Sequence, residues 1–178
     1  NQGKAVISRL LSFVPDVLFI EGSRAYLVNP QPYDSQVYAY GSEHPVIEGN
    51  YRRGAWGLNR LQVEGYNPSS GEMVIVDSFG WSEIARHYDR LGQVEDRNVA
   101  DVSQAEQRGQ AYLRQAEIES AGGTIRIPVS CGQQLYDVID ISDKRAGLSG
   151  QKMRVLGMVL TYNPGHSEYE QRLSLGAV

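Results

Sequence analysis

Residues 103–129 read SQAEQRGQAYLRQAEIESAGGTIRIPV, a helical pattern followed directly by a strand pattern. From Ser103 to Ala121, apolar side chains recur every three or four residues, as they do on the buried face of an amphipathic helix. Ser103 and Glu106 have the spacing of a capping box, which satisfies amides of the first helical turn. Gly122-Gly123 is typical of the left-handed end of a helix. The stretch therefore predicts a long helix with its own start and stop.

Strand patterns lie on both sides of this helix. After it, runs rich in β-branched and aromatic residues alternate with turn residues. These runs are Thr124–Val129, Leu135–Ile141, Met153–Tyr162 and Tyr169–Leu175. The runs before the helix are Val17–Ile20, Ala25–Val28, Gln36–Tyr40, Val46–Tyr51, Leu58–Tyr66 and Met73–Val76. Short strands at this spacing favour a small antiparallel barrel or sandwich.

The remaining segments complete a mixed fold. Lys4–Val14 has an apolar stripe that predicts a helix, and Pro15 is expected to end it. Residues 78–89 fit either a strand or a helix, and residues 90–100 lack periodicity and are predicted to be a loop. We expect an α+β, β-dominated fold in which small antiparallel β-barrel domains are joined by a helix.

Length and composition restrict the possible functions. The 178 residues allow one domain or two small ones. We expect two: a β-rich part with the N-terminal helix at residues 1–100, and the long helix with a barrel segment at residues 101–178. Alternatively, the two parts pack together as one unit. A net charge of −4 argues against tight binding of nucleic acid. No apolar run approaches the roughly 20 residues of a membrane helix, so we expect no membrane insertion. The chain starts at Asn1 and its first methionine is Met73, from which we expect a piece of a longer protein.

Residues for enzymatic chemistry form no recognisable pattern in the sequence. A nucleophilic triad needs a base beside a serine, threonine or cysteine, and none of His44, His87 and His166 lies near a Gly-x-Ser-x-Gly motif. No spacing indicates two facing carboxylates, and no glycine-rich phosphate loop is present. The sequence therefore predicts no enzyme, no catalytic residues and no cofactor.

Metal binding is not indicated either. Asp137, Asp140 and Asp143 are spaced by three, but in a strand the first two point to opposite faces, and Asp143 is predicted to open a turn. Cys131 is the only cysteine, which excludes an internal disulfide and a thiolate zinc site. We expect Cys131 to be a small buried or half-buried hydrophobic residue.

Several motifs follow one another in a characteristic order. They are YGSEHPVIEG at 40–49, WGLNRLQV at 56–63, GTIRIPV at 123–129, CGQQLYDV at 131–138 and YEQRLSLGAV at 169–178. This order resembles that of tail hub proteins of tailed bacteriophages. The resemblance covers most of the chain and is weakest over residues 1–30.

The resemblance implies a structural role without an active site. Hub proteins are built from small β-barrel domains and associate as a trimeric ring that joins the tail tube to the spike or tail tip. Type VI secretion spikes use a similar hub. We accordingly expect a non-enzymatic hub or baseplate module of the virion tail, made in the host bacterial cytoplasm. Its expected partners are further copies of itself, the tail tube and the spike or tail-tip proteins.

A ring of this kind needs residues at the subunit contacts. Tyrosine suits surfaces that are buried in an assembly but keep a polar group, and open strand edges invite pairing with a neighbour. The candidate subunit-interface residues are Tyr136, Tyr162 and Tyr169, expected on adjacent strands, together with the basic and aromatic residues Arg52, Arg53 and Trp56. For the tyrosines, an ordinary half-buried place in a strand is the alternative.

Two other functions stay open. One is a carbohydrate- or receptor-binding β-module of a tail tip, in which Trp56, Trp81 and Tyr51 stack on sugar rings. Core packing is the expected role of each of these three aromatic residues. The other is a virion-associated cell-wall hydrolase or peptidase, although the sequence shows no residues for that chemistry.

Overall fold

The computed structural model describes residues 2–14 and 16–178. Strands outnumber helices along the chain, so the β-dominated α+β fold is confirmed. In chain order the elements are α1 (Gln2–Leu11), β1 (Val17–Glu21), β2 (Arg24–Val28), β3 (Gln36–Tyr40), β4 (Glu48–Arg53), β5 (Arg60–Asn67), β6 (Glu72–Phe79), α2 (Trp81–Ile84), β7 (Leu91–Glu95), α3 (Val102–Ser120), β8 (Ala121–Pro128), β9 (Val138–Asp143), β10 (Leu148–Asn163) and β11 (Glu168–Gly176). Among the described residues, no helix combines the length and hydrophobicity that crossing a membrane requires.

The chain forms two compact units that interleave in sequence. The first unit is Asn1–Asn29 with Ala55–Glu117, and the second is Pro30–Gly54 with Ile118–Val178. This division differs from the single boundary at residue 100 that the sequence predicts. The interleaving arises because β3 and β4, early in the chain, pair with β9 and β8 near its end.

The first unit contains two small sheets. β1 and β2 form an antiparallel hairpin, and a three-stranded sheet has the order β6-β5-β7, in which β7 runs parallel to β5. The core of this unit consists of Leu61, Val63, Val99 and Ala105. The strand β7 corrects the prediction of a loop over residues 90–100. It is a short strand in which Leu91 is exposed and Val94 is half-buried.

The second unit is a six-stranded, curled half-barrel sheet of order β3-β9-β10-β11-β8-β4. All neighbours are antiparallel except β3 and β9, which run parallel. Its buried side chains are Tyr40, Ile125, Ile127, Ile139, Ile141, Met153, Val155, Leu173 and Leu175. The strands β3 and β4 form the two edges of the sheet.

The long helix α3 lies close to where the sequence predicts it, but its capping differs. The Asp101 side chain accepts a hydrogen bond from the Gln104 amide (2.8 Å), and Gln104 Oε1 accepts one from the Ala100 amide (3.1 Å). These contacts replace the capping box predicted for Ser103 and Glu106. The cap thus lies two residues earlier than predicted and satisfies the amides of Gln104 and Ala100 instead.

The predicted glycine stop of this helix is wrong. Gly122 and Gly123 lie inside β8 and pair with β11 and β4. A Cβ atom on Gly123 would lie 2.0 Å from the Asn50 carbonyl oxygen, and Gly123 has a φ of 137°. The glycines are therefore required by the close approach of β4 and not by the end of the helix.

The N-terminal helix is confirmed, and it ends at Leu11 rather than at Val14. Pro15, which the sequence analysis expected to end it, lies outside the described residues. Cys131 is exposed, which corrects the expectation of a buried or half-buried residue. The cysteine lies in a polar turn after the end of β8.

Candidate assembly surfaces

The longest strand of the protein, β10, changes its neighbours along its length. It pairs with β9 from Leu148 to Arg154 and with β11 from Arg154 to Asn163. On the far side of β11, the pairing with β8 stops at Glu170. The end of the β10–β11 hairpin therefore extends beyond both neighbouring strands. We call residues 158–171 the projecting hairpin; Glu170 and Gln171 still pair with β8, and residues 162–169 extend beyond both neighbouring strands.

One face of the projecting hairpin is apolar and exposed. Alternate residues share a strand face, so Leu160, Tyr162 and their cross-strand neighbour Tyr169 continue the inner face on which Met158 packs against the core. Leu160 is 59% exposed and Tyr162 is 71% exposed. The rings of Tyr162 and Tyr169 meet edge to face, 5.7 Å apart. We call Leu160, Tyr162 and Tyr169 the hairpin face.

Tyr136 does not join the other two candidate tyrosines. It lies in the loop before β9, with a φ of 68°, and not on a strand as expected. Its amide donates a hydrogen bond to the Val155 carbonyl (2.7 Å), and its carbonyl accepts one from Arg154 (3.0 Å). Val155 precedes Tyr162 by about 23 Å of extended strand. Burial raises the pKa of Tyr136. The two hydrogen bonds of its backbone hold the loop before β9 against β10.

The candidate arginines lie on an edge strand. Arg52 and Arg53 are both exposed at the end of β4, and neither forms an ion pair with any described residue. The preceding Tyr51 points inward, where its hydroxyl donates to Asp143 (3.2 Å) and burial raises its pKa to about 12. A hydrogen bond from Arg145 holds the pKa of Asp143 below its usual range. This edge therefore carries two cations that have no ion-pair partner among the described residues.

The tryptophans have different environments. Trp56 is half-buried, and its ring covers Gly80, where a Cβ atom would lie 2.5 Å from the ring. Its amide donates to Glu83 Oε1 (3.0 Å), so it is a packing residue of the first unit. Trp81 is exposed and stacks on Phe79 with ring centroids 4.4 Å apart. Core packing was expected for both, and it holds only for Trp56.

The histidines show no nucleophilic arrangement. His87 Nδ1 lies 3.0 Å from the buried Glu83, and His44 lies among the rings of Tyr38 and Tyr40. Within residues 2–14 and 16–178, no histidine side chain is hydrogen-bonded to a serine, threonine or cysteine side chain. The described part of the chain also holds no group of three metal-binding side chains. Asp143 accepts the Arg145 amide and opens a 3₁₀ turn, as predicted.

A second exposed apolar surface was not among the sequence predictions. In α1, the side chains of Val6, Ile7 and Leu10 are exposed, and Leu10 is 65% exposed. We call these three residues the α1 stripe. Arg9, which does not belong to the stripe, donates to both oxygens of the buried Asp96 (2.6 and 2.7 Å). The helix is thus anchored by a polar contact while its apolar stripe remains uncovered.

The sequence did contain signals for both surfaces. Met158, Val159 and Leu160 are apolar at three consecutive positions, so both faces of β10 are apolar there. In α1, the apolar stripe is clear, but the sequence does not show what covers it. An amphipathic pattern predicts a buried face only if another element is available to pack on it.

Comparison with known proteins identifies the fold. No protein-family model and no curated protein matches the sequence. Solved structures do match. The 43 kDa tail protein of prophage MuSo2 from Shewanella oneidensis has 12% identity and a TM-score of 0.68, over 96% of this chain and 52% of that chain. The tail protein from Neisseria meningitidis MC58 has 9% identity and a TM-score of 0.70, over 97% and 54%.

A third match agrees with these two. The prophage tail protein gp18 from Listeria monocytogenes EGD-e has 12% identity and a TM-score of 0.59, over 98% of this chain and 52% of that chain. The chain thus spans about half the length of these tail proteins. At such low identity the likeness concerns the fold, and the chain has the fold of phage tail proteins.

Proposed function

We propose that the chain is a non-enzymatic structural module of a phage-type tail, located in the virion tail. In this proposal, copies of the chain form a ring, as a homotrimer, that joins the tail tube to a spike or tail tip. The hairpin face carries the proposal, because an exposed apolar surface on a folded β-sheet typically marks a protein contact. The partners are other copies of the chain and the neighbouring tail proteins.

The edge residues support the same role. Arg52 and Arg53 on β4 are proposed to contact a neighbouring subunit, where their unpaired charges meet acidic groups. Trp56 and Tyr136 are proposed to act indirectly, by supporting the loops around these contacts. With a net charge of −4, the ring is not expected to bind nucleic acid tightly.

The non-enzymatic part of the proposal rests on the surroundings of the histidines. His87 is paired with Glu83, and His44 packs among tyrosine rings, so each has a structural contact in the same unit. A cell-wall clearing activity that disappears in a His87→Ala variant would contradict this part and favour the hydrolase alternative.

The hairpin face provides the main test. In the variant Tyr162→Ser/Tyr169→Ser, we expect self-association to weaken at least about 30-fold, as when one interface hot spot of about 2 kcal/mol is lost. Both side chains are exposed, so the free energy of unfolding should change little. Light scattering over a concentration series measures the association, and electron microscopy of the wild-type chain should show a threefold ring with a lumen.

A matched control uses tyrosines elsewhere on the surface. Tyr33 and Tyr88 are even more exposed than Tyr162, and the variant Tyr33→Ser/Tyr88→Ser should assemble like the wild-type chain. Equal effects of both double variants would contradict a specific role of the hairpin face. A wild-type chain that stays monomeric at millimolar concentration would contradict the ring itself.

One observation favours carbohydrate binding as a second candidate function. Trp81 is exposed and backed by Phe79, and Arg60 lies over the Phe79 ring, so the indole is a rigid platform of the kind on which sugar rings stack. If the chain binds glycans, Trp81→Ala should abolish binding on a glycan array, whereas Tyr88→Ala should not. An array without any signal for the wild-type chain would exclude this function for the glycans tested.

A further inference from the structure

We propose that α1 of one copy packs on the hairpin face of the next copy. This inference rests on the proposed ring and names the surfaces that would close it. A ring built by rotation uses head-to-tail contacts, in which each subunit presents two different surfaces. Two surfaces of different kinds are available for such a contact among the described residues: a helical stripe in the first unit and a strand face in the second.

The two surfaces match in kind and in length. A helix stripe packing on a sheet face is one of the standard layer arrangements of protein cores. The 10 residues of α1 span about 15 Å, and the six residues 158–163 of β10 span about 20 Å. The α1 stripe and the hairpin face each present three large side chains that are exposed in the isolated chain. One contact would therefore cover both apolar surfaces together.

The charges around the two surfaces are complementary. Between Gly3 and Leu11, α1 has two basic side chains and no acidic one. Arg9 is engaged by Asp96, whereas Lys4 has no ion-pair partner among the described residues. Next to the hairpin face, Glu168 likewise lacks a basic partner in the described part, and it only accepts a long hydrogen bond from Asn163 (3.5 Å). The contact would bring these opposite charges to the same interface.

A second copy explains these surfaces better than a different protein does. An unrelated partner would have to supply a separate apolar surface for the α1 stripe and for the hairpin face, whereas copies of this chain already carry both. A symmetric contact of three hairpin faces around the ring axis is the main alternative, and it also leaves α1 exposed. The head-to-tail contact between copies uses both surfaces in every subunit.

Cysteine cross-linking between differently labelled copies tests the contact. Both proteins carry Cys131→Ser, which removes the exposed native thiol. One protein carries Val6→Cys and the other carries Leu160→Cys. The two proteins are mixed, given time to exchange subunits, and then treated with a short bismaleimide cross-linker. We expect a covalent dimer in the mixture and at most a trace in either protein alone. Because the cysteines are on separate chains, a cross-link within one chain is excluded.

The control replaces Leu160→Cys by Met73→Cys, an equally exposed position in the first unit. The Val6→Cys and Met73→Cys mixture should give no covalent dimer. One contrary outcome is that light scattering shows a trimer while Leu160→Cys copies cross-link to each other. That outcome would favour the symmetric hairpin contact and overturn this inference, leaving the proposed function intact. Rings without any cross-link in the mixture would overturn it as well. A chain that forms no oligomer at all would instead contradict the proposed function.

Discussion

The variant Asp96→Asn is expected to lose about 3–5 kcal/mol of the free energy of unfolding of the first unit, because it leaves a buried cation without its carboxylate. The Asp96 side chain is 5% exposed and forms ion pairs with Arg9 and with the buried Arg108. It also accepts hydrogen bonds from the amide and the side chain of Asn98. This one carboxylate thus connects α1, the turn after β7 and α3.

Arg108 makes the network costly to break. Its guanidinium lies 4.9 Å from the centre of the Phe13 ring and 5.9 Å from that of Tyr112. These rings attract a cation through their π faces but cannot neutralise it as a carboxylate does. Removal of the negative charge therefore leaves a desolvated guanidinium beside two aromatic rings.

Urea denaturation followed by tryptophan fluorescence measures this effect. The chain has two tryptophans, Trp56 and Trp81, and both belong to the first unit. The neighbouring substitution Glu95→Gln is the control, because Glu95 and its partner Arg97 are exposed and such pairs contribute at most about 1 kcal/mol. Similar losses of the free energy of unfolding in both variants would show that the buried network stabilises the first unit no more than the exposed pair does.

The same carboxylate predicts how stability depends on pH. Burial alone would raise the pKa of Asp96, but hydrogen bonds from Asn98 and Arg9 and the charge of Arg108 outweigh it and hold the pKa well below its usual range. Below a pH of about 4 the unfolded chain takes up a proton that the folded chain does not. The contribution of Asp96 is therefore complete above this pH and is lost as the pH falls further. In Asp96→Asn, this part of the acid dependence should disappear.

Local patterns in the sequence were sufficient for most elements, because alternation and helical periodicity reflect which side chains are buried. Gln36–Tyr40 is a strand with the predicted bounds, and the stripe of α3, with Ala105 and Leu113 buried, faces the core as predicted. The sequence did not indicate β7, because this strand contains the polar residues Gln93 and Glu95. A strand at the edge of a small sheet buries few side chains and therefore shows a weak apolar pattern.

The candidate surfaces were harder to predict, because they depend on where neighbouring strands stop. The sequence placed Tyr162 and Tyr169 on adjacent strands, and the structure pairs them directly. It did not indicate that β8 and β9 end before these residues, which is what exposes them. Tyr136 was misplaced for a related reason, since β9 begins only at Val138 and the preceding loop is held by contacts to a distant strand.

A buried arginine stands where β10 changes its neighbours. Arg154 pairs with Val138 of β9 and with Gly176 of β11, so it lies at the base of the segment that leads to the projecting hairpin. It is 1% exposed, and its guanidinium donates to Asp34 (2.9 Å) and to the carbonyls of Gln31 (2.8 Å) and Tyr136 (3.0 Å). The loop before β3 and the loop before β9 are both tied to this side chain.

The variant Asp34→Ala is therefore expected to lose about 3 kcal/mol of the free energy of unfolding of the second unit, because the buried guanidinium loses its carboxylate. Part of this loss should return in Asp34→Ala/Arg154→Met, in which both charges are absent. Glu43→Ala, an exposed acidic residue in the same unit, is the control and should change stability by less than about 0.5 kcal/mol. Guanidinium chloride denaturation followed by circular dichroism gives these values.

Assembly measurements on the same variants separate the base of the hairpin from its face. Tyr162→Ser/Tyr169→Ser should weaken self-association without lowering stability, whereas Asp34→Ala should lower both, because a loosened base no longer holds the hairpin in one direction. Hydrogen exchange should show faster exchange in residues 30–36 and at the start of β9 in Asp34→Ala. If Asp34→Ala were as stable as Glu43→Ala, Arg154 would not be the support of the hairpin, and the position of the hairpin face would have to be set by the strand pairing alone.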